Sequence, residues 1–264
     1  MRINLRKSLF ILPNLFTLSS IFCGFYAIVL CGQSPSPDDL YRASLLIIFA
    51  MFFDMIDGRV ARMTRTQSAF GMEIDSLADV VSFGAAPALL VYVWSLSALG
   101  TFGVAVSFAY LACGAIRLAR FNVLSTDTSG RPKKPSKYIL GLPIPGAAGI
   151  LVSLVAANHA VEGELAVRHV PIAIIVLSLA FFMVSTIKFR SFKDLRLSWR
   201  TAALVMLAVG TGVVMAIKLH VAFALGWMLT SYVAIGLLET LIGLSRRLRR
   251  GQSEPSEDPL KTRS

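Results

Sequence analysis

Four aspartates fall close together in an otherwise apolar stretch: Asp54 and Asp57, then Asp75 and Asp79. Helical residues three or four apart lie on one face, so each pair projects from one side of its own helix. A short basic segment containing Arg59, Arg62 and Arg65 separates the pairs and sets them at one depth on facing helices. A carboxylate at the centre of a membrane helix costs about 2.5–3.5 kcal/mol on insertion scales. Four at one depth repel one another unless cations stand between them. Oxygen-only ligands favour hard divalent ions such as Mg²⁺ or Mn²⁺, and two such ions neutralise four carboxylates. Gly58 and Ala61 continue the face of the first pair with almost no side chain, leaving room for a ligand against the backbone. Arg62, one turn beyond Gly58, is placed to clamp a phosphate. Gly71, one turn before Asp75, permits a tight start to the next helix. The competing structural reading is a set of Asp–Arg bridges. Against it, the four acids outnumber the three nearby arginines.

The elements that must carry these groups are membrane helices. Of 264 residues, 55% are hydrophobic and 16% charged, against about 25% charged in soluble domains. Mean hydropathy is +0.69. Windows of about 20 residues predict eight spans: Pro13–Cys31, Tyr41–Arg62, Gly71–Leu96, Ala98–Ala119, Ile139–Ala160, Val170–Lys188, Trp199–Lys218 and His220–Leu244. With eight spans, 23 of the 26 Lys and Arg residues fall on one side; only Arg42, Arg168 and Lys218 fall on the other. By the positive-inside rule, both termini and the acidic cluster are expected on the cytoplasmic side. The net charge of +11 is thereby a topology signal and not a nucleic-acid footprint. The basic start (Arg2, Arg6, Lys7) precedes an apolar run without a cleavage pattern, so it is not read as a signal peptide. Ser34 to Asp39 reads as an outer loop, Ser125 to Lys137 as a basic cytoplasmic loop, and Gly251 to Ser264 as a polar tail. Cys23, Cys31 and Cys113 lie in apolar runs without metal-ligand spacing and read as small core residues.

In sequence order, Asp54, Asp57, Gly58, Ala61 and Arg62, then eight residues, then Gly71, Asp75 and Asp79 resemble the signature of the CDP-alcohol phosphotransferase family at all eight fixed positions. Chance agreement at a given start is on the order of 10⁻¹⁰ from average residue usage. Pro13, Asn14 and Thr17 resemble the family's opening helix. Arg117, Arg120, Phe121 and Asn122, then Gly141, Pro143, Pro145 and Gly146, then Ser191, Phe192 and Lys193 resemble its phosphatidylserine synthase branch. The resemblance implies an all-α integral membrane protein. Its six-helix family core is expected over residues 1–190, two additional helices over 191–245 and a basic tail over 246–264. The resemblance further implies a homodimer among membrane lipids, with CDP-diacylglycerol and L-serine as substrates. Asp54, Asp57, Asp75 and Asp79 would hold Mg²⁺ or Mn²⁺, two ions in all, with Asp79 also acting as general base. Gly58, Ala61, Arg62 and Gly71, with Asn14 and Thr17, would form the nucleotide side.

The serine carboxylate calls for a cation, and Arg117 and Arg120 stand at the end of the fourth span, followed by Asn122. Each also reads as an interface anchor or a turn residue. Another acceptor, such as glycerol 3-phosphate, inositol phosphate or choline, fits the same arginine pair. A divalent cation transporter is the remaining alternative. It fits less well, because the acids sit at one end of their spans and the outer halves, Leu45–Phe53 and Leu89–Trp94, are mostly apolar.

Overall fold

The computed structural model describes residues 5–64, 66, 68–125, 138–161, 165–190 and most of 206–216 and 223–235. Long apolar runs become helices: α1 (Leu5–Cys31, with Pro13 inside it), α2 (Pro37–Thr64), α3 (Ala69–Asp79), α4 (Ala86–Trp94), α5 (Thr101–Ser125), α6 (Ile144–Ala160) and α7 (His169–Val184). A wide π turn, Val80–Ala85, joins α3 to α4, and a short 3₁₀ turn, Leu96–Leu99, precedes α5. Among the described residues, Pro13–Cys31, Phe70–Trp94 and Thr101–Leu124 are long and apolar enough to cross a membrane. Ile144–Ala160, His169–Val184 and Phe223–Ile235 are shorter apolar helices. The chain is thus a helical membrane protein. The basic loop from Arg131 to Lys137, the Ser191–Lys193 segment, His220 and much of the last two expected spans lie outside the described residues.

α2 begins earlier than its hydropathy predicts. Ser36 and Asp39 form a reciprocal cap, with the Asp39 amide donating to Ser36 Oγ at 3.2 Å and the Ser36 amide to Asp39 Oδ2 at 3.1 Å. Pro37 occupies the first helical turn, where its missing N–H costs nothing. Part of the expected outer loop is therefore helix.

The fifth and sixth expected spans are shorter than predicted. Residues 138–140 and 188–190 form a two-stranded antiparallel ribbon, β1 (Tyr138–Leu140) with β2 (Lys188–Arg190), pairing Leu140 with Lys188. Gly141 comes next, with φ of +75°, and Pro143 caps α6. Neither residue suits a helix interior, so hydropathy alone overran the boundary. The ribbon is the one departure from an all-α fold among the described residues.

α1 packs along α2, α2 against α6, and α5 against α7. Ile47, Phe83, Leu90, Tyr110, Leu151 and Met183 fill the core with essentially no exposed surface. α1 approaches the π turn so closely that a Cβ on Gly24 would stand 2.7 Å from the Ser82 Cα. The last described segment packs on α6, with Leu229 over Gly149 and Val233 entering the core. Trp227 Nε1 donates to Thr211 Oγ1 at 2.8 Å, linking the two C-terminal helical segments.

Candidate active site

α2 and α3 deliver the acids because the turn between them is short and capped. The Thr66 amide donates to the Ala61 carbonyl at 3.0 Å, closing α2. Ser68 caps α3 by accepting from the Gly71 amide at 3.0 Å. Gly71 thus lies in the first turn of α3.

Asp54, Asp57 and Asp75 each present a carboxylate oxygen within 4.8 Å of the others. At that separation and an effective dielectric of about 20, two full charges repel by roughly 3–4 kcal/mol. Neither Arg59 nor Arg62 makes an ion pair with these acids among the described residues. The Arg62 charge still acts on Asp57, and Arg65, the third arginine of the bridge reading, lies outside the described residues. Oxygen donors from facing helices, converging without a paired cation, fit a hard divalent metal. Asp79 stands apart from this trio. Its carboxyl is in hydrogen-bond contact with that of Asp54, and the Arg117 charge acts on it from the other side. Its Oδ1 is closed off from solvent with no hydrogen-bond partner among the described residues.

Two clefts meet at Asp75. The larger, about 400 Å³, is lined by Asp54, Met55, Asp57, Gly58, Arg59, Arg62 and Asp75. Its wall at Gly58 is bare backbone beside the Arg62 guanidinium, where a Cβ would stand 3.5 Å from Nη1. The smaller, about 120 Å³, is lined by Met72, Glu73, Asp75, Ser76, Asp79, Arg117, Leu118, Phe121 and Asn122. Arg117 is 7% exposed, and its guanidinium carbon lies 5.5 Å from the centre of the Phe121 ring, a cation–π geometry.

The sequence-derived residues separate into groups. Ala61 is half-buried on the Gly58 side, and Asn14 is half-buried one turn from Thr17 on α1. Thr17 itself reaches an acid: its hydroxyl donates to Asp57 Oδ2 at 2.7 Å, and both residues are buried. Asn122 Nδ2 donates to Ser76 Oγ at 2.9 Å, tying α5 to α3 beside Asp75. Arg120 has a different set of partners from the one expected. Its guanidinium donates to the Val184 carbonyl at 2.7 Å and the Ser185 carbonyl at 3.0 Å, with Leu140 at 3.5 Å. It closes the carbonyl end of α7 against the ribbon, while Arg117 faces the acids. Ser76 escaped the sequence reading; the signal for it was adjacency to Asp75 on a helix facing Asn122. His159 stacks on Tyr41 with ring centres 4.5 Å apart, at the helix ends remote from the acids.

A CDP-diacylglycerol–serine O-phosphatidyltransferase of Helicobacter pylori is 41% identical over 202 residues, covering 75% of this chain and 80% of its own length. The Bacillus subtilis protein of the same name is 34% identical over 182 residues, 69% of this chain and 91% of its own. The Saccharomyces cerevisiae one is 40% identical over 145 residues, about half of each chain. The CDP-alcohol phosphatidyltransferase family matches residues 10–232, which takes in the acids, both clefts and most of the described C-terminal segment. With three aspartates converging from α2 and α3 beside Arg62, and with that match, the chain belongs to the CDP-alcohol phosphatidyltransferase family.

Proposed function

We propose that the protein makes phosphatidylserine, transferring the phosphatidyl group of CDP-diacylglycerol to the hydroxyl of L-serine and releasing CMP. The observation that carries this is the pair of clefts meeting at Asp75, one open and lined by the acids with Arg59 and Arg62, the other small and holding Arg117. The relatives' shared name supports the choice of substrates.

The open cleft takes the CDP moiety. Gly58 and Ala61 let it approach the backbone, and Arg62 neutralises phosphate charge. Asn14 belongs to this side, whereas Thr17 acts through Asp57 and Gly71 through the start of α3. Serine occupies the small cleft with its carboxylate toward Arg117, and Ser76 and Asn122 shape the wall. Divalent ions, two of Mg²⁺ or Mn²⁺, held by Asp54, Asp57, Asp75 and Asp79 would neutralise the pyrophosphate and stabilise CMP as leaving group. The serine oxygen attacks the phosphorus bearing diacylglycerol, and the bond to the CMP oxygen breaks. Asp79 takes the hydroxyl proton, since it faces the small cleft and has a buried oxygen with no hydrogen-bond partner among the described residues.

The same reading sets eight spans with both termini and the site in the cytoplasm, so that the lipid substrate arrives from the inner leaflet. Residues 1–190 form the six-helix core, 191–245 an added helical pair and 246–264 a tail. Two chains form the working unit. The decisive experiment is an acceptor screen on purified protein with CDP-diacylglycerol and Mg²⁺ or Mn²⁺. Serine-dependent release of CMP and labelled phosphatidylserine is expected. Turnover with glycerol 3-phosphate, inositol phosphate or choline instead would move the protein to another branch of the family. Metal flux in liposomes without lipid turnover would favour transport.

A further inference from the structure

Directly after Asp79 the helix leaves α geometry. In the π turn Val80–Ala85 the Ala86 amide reaches back five residues to the Val81 carbonyl. Such a turn inserts one residue, rotating the rest of the helix by about 100° relative to a straight α-helix. Four residues after Phe83 stands Pro87, which has no N–H to donate to the Phe83 carbonyl. The Tyr110 hydroxyl of α5 donates to that carbonyl instead, at 3.1 Å, with both residues fully buried. On the other side, the Ser82 hydroxyl donates to the Ser20 carbonyl of α1 at 2.9 Å, again fully buried.

These two bonds lie on informative faces. Ser20 is one turn from Thr17, which holds Asp57. Tyr110 is two turns before Arg117, on the same face of α5. The helix faces that bring Thr17 and Arg117 to the acids therefore also grip the wide turn, one level beneath Asp79.

We propose that Tyr110 and Ser82 are positioning residues for the transfer reaction. Their two buried hydrogen bonds hold the π turn open and so set the depth and rotation of Asp75 and Asp79 against Asp57 and Arg117. The proposal rests on the reading that Asp79 receives the serine proton. Neither residue touches substrate; both act through the helix that carries the acids.

The test uses Tyr110→Phe and Ser82→Ala in the full-length protein in detergent, alongside wild type. Tyr110→Phe keeps the packed ring, and Ser82→Ala removes only the tether to α1. Both variants are expected to keep CMP affinity and both KM values close to wild type, with thermal unfolding lowered only modestly by the loss of one buried hydrogen bond each. At saturating serine and CDP-diacylglycerol, kcat is expected to fall about tenfold to a hundredfold, the scale of a small misplacement of reacting groups. Wild-type kcat in both variants overturns the proposal. So does a loss of kcat matched by falling thermal stability and CMP affinity, the pattern of plain destabilisation. Should Tyr110→Phe give no folded protein, Ser82→Ala carries the same readout. Absence of lipid transfer by wild type refutes the functional reading instead, a distinct result.

Discussion

Thr17→Val tests how the site holds its acids. The substitution keeps the shape and burial of the side chain but deletes the 2.7 Å bond to Asp57 Oδ2. Thr17 and Asp57 are 4% and 5% exposed, so water does not readily replace the lost donor. A hydrogen bond to a charged acceptor contributes about 1.5–3 kcal/mol, equivalent to roughly 10- to 150-fold in an equilibrium constant. Thr17 Oγ1 also lies 3.2 Å from the Pro13 carbonyl. Its single hydrogen is shared, which places the effect near the lower end. If Asp57 is a metal ligand, the loss falls on the metal, in keeping with the roughly 10- to 100-fold effects of removing groups that orient ligands. CMP release measured against Mn²⁺ concentration should show half-saturation raised about tenfold. At saturating Mn²⁺, the KM for CDP-diacylglycerol should stay near wild type. An unchanged metal dependence refutes the reasoning. A selective rise in the CDP-diacylglycerol KM returns Thr17 to direct nucleotide contact.

Asp79→Asn should abolish turnover while CMP binding, followed by calorimetry, stays measurable; near-normal turnover removes the general-base role. Arg117→Ala should raise the serine KM about tenfold or more, consistent with losing a charge-assisted bond, with little change in the KM for CDP-diacylglycerol. Arg120→Ala should instead cost about 3 kcal/mol of stability, the low end for two part-buried charge-assisted bonds to the end of α7. Thermal unfolding and paired KM measurements separate the two arginines, and a selective serine effect in Arg120→Ala reverses their roles. Gly141→Ala should lower thermal stability, because its positive φ costs a side-chain residue about 1–2 kcal/mol and the new Cβ would run into the Met183 carbonyl. A wild-type melting temperature would show that the ribbon adapts freely.

The acids were legible from sequence because they are costly where they stand. Little but function explains four carboxylates in an apolar stretch, and their i,i+3 and i,i+4 spacings translate directly into shared helix faces. Hydropathy also placed most helices, yet it overran at residues 139–143 and 185–188. There the chain enters or leaves the ribbon of Tyr138–Leu140 and Lys188–Arg190, and hydropathy does not distinguish a strand or a turn from a helix. Spacing likewise could not separate Arg117 from Arg120, since both sit within one turn of the same helix end.

By itself, the sequence determined which chemistry is present: a carboxylate cluster, a basic neighbour, a membrane setting and a family signature, all encoded by residue type and short-range spacing. Only the tertiary structure decided which groups meet. Thr17 joins Asp57 across 40 residues, Asn122 joins Ser76 across 46, and Arg120 turns to the end of α7 while Arg117 faces Asp79. The physical reason is that helix rotation and crossing are set by packing between elements distant in the chain. A π turn after Asp79 adds a rotation that helical periodicity does not announce, and Tyr110 and Ser82 hold that turn from helices that no local pattern connects.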